Sequence, residues 1–277
     1  NPIKLLNPIA SQMSVMRSSL LGSLLQVAKF NQSRRVARVR IFEVGRVFLR
    51  DASVKNSNTS VEGFDQPMRV AGLASGSVDP LQWGRKDQGV DFFDVKGDVE
   101  ALLAPLQAEF VPANHPAMHP GRCAEIRVSG RPIGHVGELH PKWRQGYELA
   151  QAPILFELDL DATMQRAVPA FQPVARFQDV QRDIAVVVAD SVTHAALMAA
   201  VWAAPTNAIL RDVQLFDVYR PKVANEVAVN DGSADRSMAV RLTLNSDEAT
   251  LTEEQIEAAV AAVVNQLTTT LGARQRT

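Results

Sequence analysis

The sequence predicts an α+β protein in two domains, and three observations carry that expectation. The chain has 277 residues, more than one usual globular core. Its first part mixes helical and strand-like periods in a largely antiparallel pattern. Its last hundred residues run strand, helix, strand, strand, helix and a short tail, with a proline-punctuated joint before them at Ala167–Pro173. Pro169 and Pro173 flank Phe171 there, and neither can donate a backbone hydrogen bond or follow a helix comfortably. The expected domains are therefore 1–173 and 174–277.

Within the first domain, Leu20, Leu21, Leu24, Leu25 and Val27 recur at helical spacing and predict a helix over Ser18–Asn31. Val39, Ile41, Val44 and Val47 then suggest a strand pair between Arg34 and Arg50. The stretch Asp51–Pro67, rich in Ser, Asn and Asp, reads as a surface excursion. A strand at Val70–Ala74 and a helix at Val95–Leu106 follow. Glu125–Val128 and Pro132–Gly137 read as hairpin strands around Ser129 and Gly130, and Ile154–Leu160 as a further strand.

In the second domain the predicted elements are strand Arg182–Val188, helix Thr193–Ala203, strands Leu210–Tyr219 and Ser237–Leu244, and helix Thr252–Leu271. The last helix carries end signals: Thr252 and Gln255 form a capping-box pair, Glu253 and Glu254 occupy the first turn, and Gly272 follows the end. This order is the split βαββαβ plan of a ferredoxin-like fold, whose two helices cover one sheet face and leave the other open. Alternation assigns the faces. Met238, Val240, Leu242 and Leu244 point to the core, and Ser237, Ala239, Arg241 and Thr243 point away. Phe216 and Val218 share the core face, which makes Phe216 indispensable to folding, and Asp217 and Tyr219 take the other. Tyr219, Asp217, Ser237 and Arg241 thus gather on an open face, the kit with which sheets stack and hydrogen-bond single-stranded bases. An ordinary solvated sheet face fits the same pattern.

Composition narrows the classes. Net charge is -1, with +3 before the joint and -4 after it, so no partner is recruited by bulk charge. One cysteine, Cys123, forbids an internal disulfide and suits a reducing cytoplasm. No apolar run is long enough to cross a bilayer. The chain starts at Asn1 with no signal peptide, and is expected to be a fragment. His115 and His119, with His135 and His140 nearby, superficially suggest a metal site, but both precede a proline and no set of four ligands is evident. Cys123 reads as a small buried residue rather than a nucleophile. Arg34, Arg35, Arg38 and Arg40 form a basic cluster that suits an anion, a solvated face or a subunit contact; Asp91, Asp94, Asp98 and Glu100 read as the polar start of a helix. Neither GxxxxGK[ST] nor GxGxxG occurs.

Several runs resemble a known family. LLNPIASQMSVMRSSLL (Leu5–Leu21), RIFEVGRVF (Arg40–Phe48), FFDVKGDVEALL (Phe92–Leu103), HPGRCAEI (His119–Ile126), IGHVGELHP (Ile133–Pro141), RFQDVQRDIAVVV (Arg176–Val188) and LFDVYR (Leu215–Arg220) look like the phenylalanyl-tRNA synthetase beta subunit, in family order. The resemblance implies a class II synthetase-like antiparallel domain that has lost its active site, followed by an anticodon-binding module. The loss agrees with the residues: Arg40 and Glu43 are separated by two positions instead of forming Arg-x-Glu, and no glycine-rich segment with a following arginine exists. No catalytic or metal residue is therefore expected. The family also implies an alpha-subunit partner that uses ATP and magnesium, an (αβ)2 heterotetramer, and phenylalanine tRNA as ligand, with helix Ser18–Asn31 as an interface element. Carried over position by position, Tyr219 matches an aromatic that stacks on an anticodon base. Asp217 and Ser237 match polar positions that read the base, and Arg276 matches an arginine that contacts the backbone. The segment Arg220–Arg236 is longer and more polar than the family's usual connection. A purely structural assembly role without RNA contact is the competing expectation.

Overall fold

The computed structural model describes residues 2–166, 168, 171, 174–220 and 235–276. Most of the expected joint and nearly all of Arg220–Arg236 lie outside that set. The chain divides into two compact units, Asn1–Pro169 and Ala170–Thr277.

The first unit is built on a six-stranded sheet. Its elements in chain order are α1 (Leu21–Gln32), β1 (Val39–Arg46), β2 (Leu49–Arg50), β3 (Phe64–Asp65), β4 (Met68–Ser75), α2 (Phe92–Leu103), β5 (Ala108–Pro112), β6 (Met118–Val128), β7 (Arg131–Leu139), α3 (Pro141–Gly146), β8 (Ile154–Asp159) and α4 (Leu160–Met164), after a single 3-10 turn at Ser11–Met13. The strands lie in the order β1-β4-β8-β7-β6-β5, and each neighbouring pair is antiparallel. The strand pair expected between Arg34 and Arg50 is corrected: β1 pairs with β4, and β2 pairs with β3 inside the predicted excursion.

Both faces of this sheet are covered, and the strand period of two sorts its residues between them. Ala71, Leu73 and Leu155 join Leu20, Leu21, Leu24, Leu25 and Ala28 of the α1 region in one core. Val70, Ala74, Ile154 and Leu158 join Val95, Val99 and Leu103 of α2 in the other. Strands buried on both faces read as continuous apolar runs, and Val70–Ala74, expected as a strand, lies within β4 in that form. Helix α2 starts three residues earlier than expected because Asp91 caps it, accepting from Phe93 and Asp94 N–H while Asp94 returns the bond to the Asp91 N–H. The helix therefore ends at Leu103, ahead of Pro105. The β6–β7 hairpin turns at Ser129 (φ 51°) and Gly130 (φ 75°), two left-handed residues as a tight primed turn requires.

The second unit contains β9 (Val180–Ala189), α5 (His194–Trp202), β10 (Leu210–Tyr219), β11 (Asp235–Leu244), α6 (Glu253–Leu271) and β12 (Arg274–Gln275). The antiparallel order β10-β11-β9-β12 is the ferredoxin-like arrangement expected from the sequence, with the tail supplying the short fourth strand. One face of the sheet packs Met238, Val240, Leu242, Leu244, Ile184, Val186 and Val188 against Leu197 and Val201 of α5 and Ile256, Val263 and Leu267 of α6. Thr252 and Gln255 form the expected capping box, and Gly272 closes α6 at φ 63°. Among the described residues no helix is long and apolar enough to cross a membrane.

Leu242 is fully buried at the centre of this core. Leu242→Ala removes its packing and is expected to destabilise the second unit by about 2–5 kcal/mol, measured as the shift in denaturant midpoint of the transition that reports that unit; a midpoint equal to the parent's contradicts the core assignment.

Candidate nucleic-acid interface

With both helices on one side, the other side of the second sheet is open, and its residues fall in rows set by strand register. Tyr219, Ser237, Val187 and Arg274 form one row across all four strands. Asp217, Ala239 and Ala185 form the next, and Gln214, Arg241 and Asp183 a third. Small side chains therefore floor the centre, and the long ones stand around it.

Tyr219, Asp217, Ser237 and Arg241 stand on the face where alternation put them, Ser237 with less exposure than expected, and Arg276, named from the resemblance alone, lies beside Tyr219. Tyr219 is half exposed (50%). The Arg276 guanidinium lies 5.3 Å from its ring centroid, held in reach because the Arg276 N–H donates to the Ala185 carbonyl at 2.8 Å. Asp217 is exposed and forms no ion pair among the described residues. Arg241 donates twice to Asp183, from Nε at 2.8 Å and from a terminal nitrogen at 2.9 Å. Ser237 is corrected: it belongs to the same face but is 7% exposed, part of the floor between Tyr219 and Val187 rather than an upstanding contact.

Phe216 is a larger correction. The ladder between β10 and β11 slips between Leu215 and Asp217, so that Leu215 pairs with Val240 and Asp217 with Ala239, leaving Phe216 as the extra residue of a β-bulge. The strict alternation that assigned Phe216 to the core fails at that point. Phe216 is 49% exposed, takes no part in the core, and its ring centroid lies 5.3 Å from the Arg241 guanidinium. The open face consequently carries two aromatic rings, each beside a guanidinium. No signal in the isolated sequence marks the bulge.

Other candidates have structural occupations. His115, His119 and His140 each accept, through Nδ1, the N–H two residues on, at 3.2, 3.0 and 3.1 Å. Burial, and then the neighbouring His135 ring 5.0 Å away, hold His115 below the ordinary imidazole range. Among the described residues no cluster of three or more metal-ligating side chains occurs. Cys123 is buried against Met118, and burial pushes its thiol up. In the basic cluster, Arg38 donates to the Ser77 and Val78 carbonyls, Arg40 pairs with Asp98, and Arg34 lies over the Phe30 ring. Glu43 accepts from the Ser23 hydroxyl at 2.6 Å and pairs with Arg17.

A four-stranded sheet of this order, covered on one side by two helices and bearing aromatic and guanidinium groups on the other, places the second unit among ferredoxin-fold modules. Sequence comparison agrees: residues 175–276 match the ferredoxin-fold anticodon binding domain, and residues 1–160 match the phenylalanyl tRNA synthetase beta chain CLM domain. The chain belongs to the phenylalanine–tRNA ligase beta subunit family. It is 47% identical over 280 residues to that subunit of Cupriavidus pinatubonensis, covering 100% of this chain and 34% of the relative. It is 49% identical to that of Ralstonia nicotianae (99% and 34%) and 50% identical to that of Chromobacterium violaceum (100% and 33%). The chain thus spans about a third of the length of the relatives it matches.

The Asp183–Arg241 pair gives a pH test. The hydrogen bond from Arg241 holds the Asp183 carboxyl below the ordinary aspartate value, and the pair raises Arg241 in turn. A carboxylate depressed in the folded state contributes stability above its unfolded pKa and loses it as pH falls through the depressed folded value. The Asp183 carboxyl carbon is expected to titrate by NMR below an ordinary aspartate, and Arg241→Gln to move that midpoint upward; an unmoved midpoint means the pair does not form in solution.

Proposed function

We propose that this chain is part of the beta subunit of a cytoplasmic phenylalanine–tRNA ligase, and that the open face of its second unit binds the anticodon loop of phenylalanine tRNA. The observation that carries the reading is Tyr219: a half-exposed ring beside the Arg276 guanidinium, above a floor of Ser237, Ala239, Ala185 and Val187. An unpaired base stacks on such a ring whatever its identity, Asp217 accepts hydrogen bonds from the base edge, and Arg276 neutralises a phosphate. Arg241, already committed to Asp183, shapes the face more than it adds charge.

In this reading the first unit is a non-catalytic counterpart of a class II synthetase domain and packs on the catalytic alpha subunit of an (αβ)2 heterotetramer. Arg40 and Glu43 support the absence of chemistry, since each is already engaged, with Asp98 on one hand and with Arg17 and Ser23 on the other. ATP and magnesium then belong to the alpha subunit. Packing is supported by exposed apolar residues on the edge strand β1 and on α1, with Phe42 (76% exposed), Val44, Val27 and Phe30 waiting for cover. The net charge of -4 after the joint favours a second reading, in which the whole chain is an assembly scaffold.

Binding of phenylalanine tRNA to the full-length beta subunit reconstituted with its alpha subunit separates the two. Tyr219→Ala is expected to weaken binding by about 1–3 kcal/mol at fixed salt, with the fold unchanged by circular dichroism. Unchanged affinity in the folded variant leaves the scaffold reading standing and removes Tyr219 from the site.

A further inference from the structure

We infer that Phe216 is a second stacking platform on the same sheet face, taking another unpaired base of the RNA strand whose first base lies on Tyr219. The inference rests on the anticodon-binding reading and extends it from one base to two. A bulge re-aims a side chain that regular alternation would have buried, and here it re-aims a phenylalanine. Deleting the extra residue would restore a ladder with no cost to the core, because Phe216 contributes nothing to it. Instead the ring is half exposed and lies beside Arg241, whose row belongs to the face that also carries Tyr219.

The ring is also held in place. Arg241 lies 5.3 Å from its centroid, and the guanidinium is fixed from the other side by the two hydrogen bonds to Asp183. A free arginine would lose rotamer entropy on stacking; this one has already lost it. Tyr219 has the parallel arrangement with Arg276, whose backbone is tied to Ala185. About three residues of strand separate the two rings, on the order of 10 Å, so one base cannot lie on both. Asp217, between them in sequence, reaches the edge of either base. The class of ligand is therefore a single-stranded segment with at least two unpaired bases, read by stacking and not by bulk charge.

The test uses the full-length beta subunit assembled with its alpha subunit, and phenylalanine tRNA carrying 2-aminopurine at one anticodon-loop position at a time. In the parent complex, binding should change the fluorescence at two loop positions. Phe216→Leu keeps the apolar bulk and removes the ring; it is expected to abolish the change at one position, spare the other, and weaken binding roughly five- to a hundred-fold, whereas Phe216→Trp restores both. If Phe216→Leu behaves as the parent while Tyr219→Ala weakens binding, the second platform is wrong and the single-base reading survives. If neither substitution matters, both readings fall. If Phe216→Leu instead prevents assembly with the alpha subunit, Phe216 is a protein contact and the inference is overturned.

Discussion

The second unit depends on one constraint: two helices can cover only one face of a four-stranded sheet. Once Met238, Val240, Leu242 and Leu244 are committed to α5 and α6, the pleat commits Ser237, Ala239 and Arg241 to the opposite side, and antiparallel register then fixes their neighbours on β9 and β10. A one-residue slip along the whole of β11 would turn its entire apolar set to the open face, whereas the local bulge in β10 leaves that set buried. The core thus sets the geometry of the face it does not touch. The short β12 completes the arrangement by pairing Arg274 with Val187 and bringing Arg276 back toward Tyr219.

The first unit makes the contrast clear. Its sheet carries an apolar core on each face, one under α1 and one under α2, and beside α2 a cavity of about 710 Å³ is lined by strand residues that include Phe110, Cys123, Ala124, Glu138 and Ile154. It also carries exposed apolar residues at its margin: Phe42 and Val44 on the outermost strand, Val27 and Phe30 on α1. A doubly covered sheet with apolar residues left at its margin suits protein contact, and a singly covered one suits ligand contact.

How much of this was legible in the sequence follows from the kind of signal each element carries. Capping chemistry is local, so the boundaries of α6 were readable from Thr252, Gln255 and Gly272. Alternation is local too, and it sorted β11 correctly. Non-local pairing is what the sequence does not carry: β1 joins β4 and not its neighbour β2, and Phe216 leaves the core only because β10 slips against β11. Ser237 was placed on the right face, but its burial depends on the side chains around it, which a one-dimensional pattern does not contain. Tyr219, Asp217, Arg241 and Arg276 were named from pattern and resemblance together; their pairing of rings with guanidinium groups was not.

The acidic balance of the second unit looks at first like an argument against RNA. Its force depends on which term would hold the strand. Arg241 is neutralised by Asp183, Arg274 by Asp235, Arg220 by Asp190 and Arg182 by Glu253, so among the described residues few cations remain to release counterions from phosphates. Electrostatic attraction, which dominates non-specific binding, is therefore small by construction. Stacking on Tyr219 and Phe216 needs no net charge, and the guanidinium beside Phe216 is already held by Asp183, at little further entropic cost. A face built this way discriminates against duplexes and against anonymous polyanions, because neither offers unpaired bases. On the proposed reading, the negative charge of the unit is part of the selectivity: it removes the general attraction for nucleic acid and leaves only a contact that a loop of unstacked bases can make.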